Sequence, residues 1–374
     1  MKNIISLFWA ACIALPLIAQ EKGKIVIPDL KGYVTLKCDF HIHTMFSDGS
    51  VWPTVRIDEA YGEGLDAIAI TEHVVGWNEL LLKDNLKDPS HNLSYDIAQT
   101  YAKTRNMDII LIKGGEMTFS MPPGHFNAIF LSDVDELLIT DRHNRYMDAF
   151  RAAKAQNAFI WWNHPGWPVQ QPDTTLWWDE HTQLLEQGMI HGVDVASWTR
   201  YYPEAHRWCL EKKLTMMGSS DMHNSMLTEF NVTGLKHRTM TLVFAKERTA
   251  ESIHEALKER RTAAYYKDYL IGEEKYLKEL FENAVEIKVT KTDNTANITF
   301  INKSDLTFHL KKTAHDARLT YFREDIIDPY TIKPHGVLTT TVRLNDGIKG
   351  GDVNFSVENF LVEPNKGLRY TVKI

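Results

Sequence analysis

The chain has 374 residues, enough for two or three domains at roughly 150 residues each. Hydrophobic residues make up 44% and charged residues 24%, a balance that excludes a disordered chain, and three cysteines exclude a disulfide-stapled scaffold. The net charge is −7 and no long Lys/Arg run is present, so nucleic acid is not an expected partner.

Lys2 precedes an apolar stretch from Ile4 to Ile18, and Ala19-Gln20 leads into the polar Glu21-Lys22-Gly23-Lys24. That order predicts a secretory signal peptide over residues 1–20, because roughly 15 apolar residues fall short of the ~20 needed to span a membrane. The mature chain is expected to be exported, periplasmic or secreted, with no membrane span. Cys38 lies in an apolar run and reads as a small core hydrophobe, although an oxidising compartment would allow it a disulfide with Cys209.

Strand candidates follow in order: 34–40, 65–70, 108–112, 125–131, 158–162, 192–197, 214–218 and 240–244. Several are continuous apolar runs, as in strands covered on both faces. Helix-compatible segments lie between many of them. Residues 148–156 are Ala-rich, and Thr249 is a plausible N-cap for Ile253, Ala256 and Leu257. Such alternation predicts an α/β barrel or a doubly wound sheet, both of which place chemistry at the C-terminal ends of strands. Residues 265–283 read as a helix-like join through Leu277, Leu280 and Phe281. From residue 285 the period changes to two, with Val285, Ile287 and Val289 and later Val353, Phe355 and Val357. Asn345-Asp346-Gly347 carries a hairpin signal. The expected organisation is a signal peptide (1–20), a barrel (21–280) and a small antiparallel, sandwich-like β domain (285–374).

The sharpest chemical signal is Asp39-Phe40-His41-Ile42-His43 followed by Ser47-Asp48-Gly49. Residues i and i+2 of a strand share a face, so His41 and His43 point two imidazoles at one spot, while Asp48 offers a carboxylate from the turn. Later strand ends bring Thr71-Glu72-His73, Gly114-Gly115-Glu116, Gly124-His125, Asn163-His164-Pro165 and Asp221-Met222-His223. Six of the 16 histidines thus fall at strand ends in the order of a single barrel mouth. Without thiolates, this nitrogen and oxygen set suits Zn, Mn or Fe.

These motifs resemble those of the polymerase and histidinol phosphatase (PHP) superfamily. With the export signal and the C-terminal β domain, the chain is most similar to the secreted Sb-PDE-like phosphodiesterases within it. The resemblance covers about residues 33–267. It implies a distorted (βα)7 TIM-like barrel, here followed by the β domain, with a trinuclear metal centre, and the nine N/O donors suffice for two or three divalent ions. His41, His43, Glu116 and Asp221 would hold the first ion. Glu116 would bridge to the second, with His125 and His164; Asp48, His73 and His223 would hold the third. Asp48, Glu116 and His223 are also the expected catalytic groups. The superfamily usually carries Thr-Asp-His where this chain has Thr-Glu-His; Glu72 is expected to point away from the ions and support the ligands.

The implied activity is phosphodiester hydrolysis by attack of a metal-bridging hydroxide on a small-molecule phosphoester. Seven of the ten tryptophans lie between Trp161 and Trp208. Trp161 and Trp162 read as core. Trp167 and Trp198, with Tyr201 and Arg200, are candidate substrate contacts, Arg200 as the phosphate-binding cation. Arg142 and Arg145 read as solvated, and His143, His181, His191 and His206 as surface or core rather than ligands. Three other readings compete: a phosphomonoesterase of the same fold, an amidohydrolase barrel, and a secreted binding protein with structural metals. The Ser-Asp-Gly turn and the closing Asp-x-His disfavour the second, and the all-N/O donor set disfavours the third. The sequence leaves the oligomeric state open.

Overall fold

A computed structural model describes residues 21–75, 90–138, 146–313, 316, 318–320, 329–345 and 347–374. The expected signal peptide, Arg142, His143, Arg145 and Asp346 lie outside the described residues. The first part of the chain runs β1 (Val34–Asp39), α1 (Pro53–Glu63), β2 (Ala67–Ile70), β3 (His73–Val75), α2 (Leu93–Thr104), β4 (Ile110–Thr118), β5 (His125–Ile129), α3 (Tyr146–Ala155), β6 (Phe159–Trp162) and α4 (Asp179–Glu186). It continues with β7 (Gly192–Ser197), β8 (Arg200–Tyr201), α5 (Pro203–Lys212), β9 (Thr215–Ser219), α6 (Met226–Thr233), β10 (Met240–Ala245), α7 (Ala250–Lys258), β11 (Thr262–Tyr266), β12 (Tyr269–Gly272) and α8 (Glu274–Ala284).

Each apolar run read from the sequence forms a strand. β2, β6, β7 and β10 are buried along their whole length, which is why they show no alternation. β1, β2 and β4 pair in parallel, as do β6, β7 and β9. The barrel is distorted because β5 runs antiparallel to both β4 and β6, and β10 antiparallel to β1. Side chains close it. Thr241 Oγ1 donates to the Gly218 carbonyl (2.8 Å) and accepts from the Gly218 N–H (2.9 Å), and Thr262 Oγ1 donates to the Met216 carbonyl (2.8 Å). These bonds lace β9 to β10 and β11. Leu36, Cys38 and Phe40 pack with Trp161 and Met217 in the resulting core. Cys38 and Cys209 are both buried free thiols. Thr249 caps α7 as expected, its side chain accepting from the Ser252 N–H.

The segment 265–283 is helical only in its second half. It begins as the β11–β12 hairpin, and α8 follows, burying Leu277, Leu280 and Phe281. Beyond it come β13 (Val285–Lys291), β14 (Thr295–Asn302), β15 (Phe308–Lys312), β16 (Leu319–Thr320), β17 (Tyr330–Ile332), β18 (Val337–Leu344), β19 (Asp352–Glu363) and β20 (Lys366–Lys373). One sheet has the order β13-β14-β18-β16, while β17, β15, β19 and β20 form the other. The strands on either side of the Asn345-Asp346-Gly347 signal, β18 and β19, belong to different sheets and do not pair with each other. The second of these sheets is not separate from the barrel: β19 pairs in parallel with β12 through Leu270–Phe360 and Ile271–Leu361. Phe281 of α8 fills the angle beneath this junction, with ring centroids 5.3 Å from Phe308 and 4.9 Å from Tyr370.

Candidate active site

The parallel strands β1, β2, β4, β6, β7 and β9 all end at one mouth. The reversed β5 begins there, which is how His125, at the start of its strand, joins residues at or beyond the C-terminal ends of the parallel strands. The two x-His segments are stitched together by an isolated parallel bridge. Asp221 N–H donates to the His41 carbonyl (3.0 Å), and His43 N–H to the Met222 carbonyl (3.0 Å). Gly49 makes the turn after Asp48 possible, since a Cβ there would lie 2.7 Å from the backbone of His43 and Thr44. His164 and Asp221 adopt positive φ (28° and 52°), a conformation that costs non-glycine residues energy and that the surrounding bonds must impose.

All nine predicted ligands meet at this mouth. His41 Nε2 and His43 Nε2 are 3.0 Å apart, and Asp221 Oδ1 lies 3.2 and 3.3 Å from them. Glu116 sits at the centre. Its Oε1 is 3.2 Å from His125 Nδ1, 3.5 Å from His41 Nε2 and 3.6 Å from His164 Nε2, and its Oε2 is 2.6 Å from His73 Nδ1. Asp48 lies 3.3 Å from His73 Nε2 and 3.2 Å from His223 Nε2. Three overlapping donor groups result: His41/His43/Glu116, Glu116/His125/His164 and His43/Asp48/His73/His223. The sequence-based assignment gave His43 to the first group alone; here its ring also faces the third.

Within each group the donor atoms lie within 4.8 Å of one another, the crowding expected of ligands converging on one divalent ion, and every donor is nitrogen or oxygen. His41 Nδ1 and His164 Nδ1 are buried with no hydrogen-bond partner among the described residues. The residues therefore fit a site for divalent metal.

Electrostatics agree with that fit. Burial pulls the His41, His73 and His223 imidazoles down, but neighbouring carboxylates outweigh it: Asp221 and Glu116 at His41, Glu116 and Asp48 at His73, Asp48 and Asp221 at His223. Their pKa values rise to about 9, 10 and 9. His43, buried beside His223 and His73, falls to about 3 and is held neutral. Glu116, Asp48 and Asp221 are held below the carboxylate range by these imidazoles despite burial. Metal-free protein at pH 7 thus carries protons on His41, His73 and His223 that a cation must expel. Affinity is expected to rise with pH between 6 and 9, by up to about tenfold per unit for each proton displaced. Titration calorimetry with Zn or Mn in buffers of different ionisation heat should count release of more than one proton at pH 7. Release of none would contradict this charge state.

Support comes from residues the motifs did not single out. Arg56 of α1, wholly buried, spends its N–H groups on the His43, Met222, His223 and Asn224 carbonyls and on Glu59. Asp194 of β7 accepts from the His164 N–H (3.0 Å), Trp161 Nε1 (3.1 Å) and Ser219 Oγ (2.7 Å); burial pushes its pKa up to about 6. Glu72 accepts from Thr44 and from Ser47, whose Oγ is 3.3 Å from His43 Nδ1, so it braces the Ser-Asp-Gly turn from behind. Asn163 Nδ2 donates to Glu116 Oε1 (2.9 Å) and fixes the central carboxylate.

The donor cluster floors a cleft of about 550 Å3 whose far wall is Trp167, Trp198, Arg200, Tyr202 and the α6 side chains Thr228, Glu229 and Val232. Trp167 stands 5.5 Å from both His125 and His164, ring to ring. Trp198 Nε1 donates to Glu229 Oε2 (3.2 Å). Among the described residues, no Lys and no other Arg lines the cleft. Tyr201, expected here, is absent: successive residues of β8 alternate, so Arg200 faces the cleft while Tyr201 turns away to bond His206 (3.0 Å). Tyr202 takes its place. Trp161, Trp162 and Trp177 are packing residues, and His181 stacks on Trp162 at 3.8 Å.

An α/β barrel with His and carboxylate donors gathered at one mouth, followed by an Ig-like β unit, defines a class of two-domain metallohydrolase. The C-terminal residues 282–373 match DUF5001, an Ig-like domain. A solved structure from Bacteroides vulgatus, described as a two-domain protein containing a predicted PHP-like metal-dependent phosphoesterase, is 51% identical. It aligns over 95% of this chain and 100% of its own with a TM-score of 0.88. The chain belongs to this family of two-domain, PHP-like metal-dependent phosphoesterases. Two other structures align at 16% identity: a metal-dependent phosphoesterase from Bifidobacterium adolescentis over 50% of this chain and 88% of its own (TM-score 0.38), and a Chromobacterium violaceum amidohydrolase with bound sulfate over 51% and 88% (TM-score 0.37). None of the curated proteins compared matches the chain.

Proposed function

We propose that the protein is an exported phosphodiesterase with a trinuclear centre. His41, His43, Glu116 and Asp221 hold one ion, Glu116, His125 and His164 the second, and Asp48, His73 and His223 the third. When bound, divalent ions there supply Lewis acidity and ionised water for attack on phosphorus. The observation that carries the diester reading is the cleft: the donor groups face a wall of two tryptophans and one arginine across about 550 Å3. Arg200 offers a single planar fork of N–H donors, matched to a non-bridging phosphate oxygen. Trp167 and Trp198 present apolar faces on which one ester substituent rests and from which water is excluded. Glu229 places a carboxylate on the same wall, which disfavours the second negative charge of a monoester. Glu72, Asp194 and Asn163 hold ligand positions and touch no substrate.

No helix among the described residues is long and apolar enough to cross a membrane. The export reading rests on the N-terminal sequence pattern.

The test is a paired rate, bis(p-nitrophenyl) phosphate against p-nitrophenyl phosphate, on protein loaded in turn with Zn, Mn and Fe. Diester preference is expected, abolished in His41→Ala. Arg200→Met should raise KM by roughly tenfold, the worth of one charge-assisted hydrogen bond at a partly exposed site. A monoester preference would move the protein to the phosphatase branch of the fold.

A further inference from the structure

On the side of β8 away from the metal cluster lies a second cavity of about 310 Å3, at the seam between the barrel and the Ig-like unit. Its walls are three tyrosines, Tyr201, Tyr266 and Tyr269, over a floor of Ile271 and Leu361, with Glu358 and Asn365 contributed by the β19–β20 hairpin. Among the described residues, no Lys, Arg or metal-ligating His lines it. We propose that this seam cavity is a saccharide-binding site. The proposal is independent of the phosphoester reading.

Four observations carry it. First, two of the three tyrosines are preorganised. Tyr201 Oη is hydrogen-bonded to His206 Nδ1 at 3.0 Å, and Tyr266 Oη donates to the Thr199 carbonyl. A ligand meeting these rings has no side-chain ordering to oppose it there. Secondly, the Tyr266 and Tyr269 planes are only 30° apart with centroids 6.5 Å from each other. That pair is nearer parallel than perpendicular and offers aromatic surface to the C–H face of a pyranose, whereas an aromatic cage for a quaternary ammonium sets its rings at steep angles. The Lys267 ammonium, which does not line the cavity, already lies 4.9 Å from the Tyr266 centroid and would repel a second cation.

Thirdly, the polar groups sit at the rim. Glu358 and Asn365 are exposed, and neither side chain makes a hydrogen bond or ion pair with another described residue. A carboxylate and an amide beside an apolar floor supply the acceptors and donors that fix a polyhydroxylated ring in orientation. Fourthly, the volume is at the small end of ligand pockets, about 300–1,000 Å3, which suits one or two sugar rings. The cavity also shares a strand with the cleft: Arg200 lines one and Tyr201 the other.

The experiment is titration calorimetry of the full-length protein with glucose, galactose, N-acetylglucosamine, maltose and cellobiose, with choline as the cationic probe. Saturable millimolar binding of at least one sugar is expected. It should weaken at least tenfold in Tyr269→Ala and in Glu358→Ala, two exposed positions whose loss spares the core, and persist in Trp167→Ala, which alters the cleft. Thermal denaturation of the two seam variants should match the parent. Absence of binding by every sugar, binding unchanged in Tyr269→Ala, binding lost only in Trp167→Ala, or choline binding tighter than any sugar would each overturn the proposal.

Discussion

Arg56→Ala is expected to destabilise the fold by about 3–5 kcal/mol, the cost of removing one partner from a buried, charge-assisted set. The guanidinium has five N–H donors and uses all of them: Nε to the His43 carbonyl (2.9 Å), Nη1 to the Asn224 carbonyl (2.7 Å) and Glu59 (2.9 Å), and Nη2 to the Met222 (3.0 Å) and His223 (2.8 Å) carbonyls. Those carbonyls belong to the two segments that carry His41, His43, Asp221 and His223. In the variant the four carbonyls and the Glu59 carboxylate each lose the Arg56 donor together, although Met222, His223 and Glu59 keep bonds elsewhere, and the segments lose the clamp that sets their spacing. Arg56→Lys, with a point charge in place of a fork, should recover less than half of the loss. Urea unfolding in the presence and absence of chelator gives the first quantity. Bound metal per chain, expected to fall in Arg56→Ala even where the protein remains folded, gives the second. A stability change under about 1 kcal/mol with full metal content would show that the loops hold their spacing without this residue.

Glu116→Gln is expected to slow turnover by roughly a thousandfold, about 4 kcal/mol of barrier, while leaving the fold intact. The amide keeps the shape, and Asn163 still has an oxygen to donate to. What disappears is one negative charge among His41, His73, His125 and His164, all within 3.6 Å of a carboxylate oxygen in the parent. Elemental analysis should show at least one ion fewer per chain. A second readout needs no activity. In metal-free protein the raised pKa of His73 rests largely on Glu116, so its imidazole should titrate well below about 10 in the variant, followed by NMR. The direction follows from the charge: losing an adjacent anion removes what favoured the protonated form. Full activity and unchanged metal content in Glu116→Gln would remove Glu116 from the centre of the site.

The difference between what the chain announces and what it conceals has a physical pattern. The nine candidate donors were legible because eight lie at or beside strand ends and Asp48 in the turn after β1, and strand geometry turns sequence offset into direction: His41 with His43 and Asp221 with His223 share a face by the period of two. The continuous apolar strands were legible for the same reason. Arg56 was not, because a lone arginine on an amphipathic helix reads as solvated surface, and its partners are carbonyls up to 168 positions away. Tyr201 was misplaced because β8 is two residues long, too short for its pattern to say which member faces the cleft. Residues 265–272 read as part of a helix because Tyr265, Tyr266 and Leu270 fit either period, and only the partners β10 and β19 decide it. The reversal of β5 is a matter of topology that no local pattern encodes.

The β12–β19 ladder makes the boundary between the two units a hydrogen-bonded, continuous sheet rather than a tether. Leu270 and Ile271 share main-chain hydrogen bonding with Phe360 and Leu361, so amputation after α8 would bare a sticky flank of the barrel. The same seam couples the pieces mechanically: a pull on the C-terminal strand loads the barrel through peptide groups before it loads any side chain. Modules joined in this way are not interchangeable beads. A recombined gene supplying a different second unit would yield a soluble enzyme only if the newcomer brought its own strand to that flank.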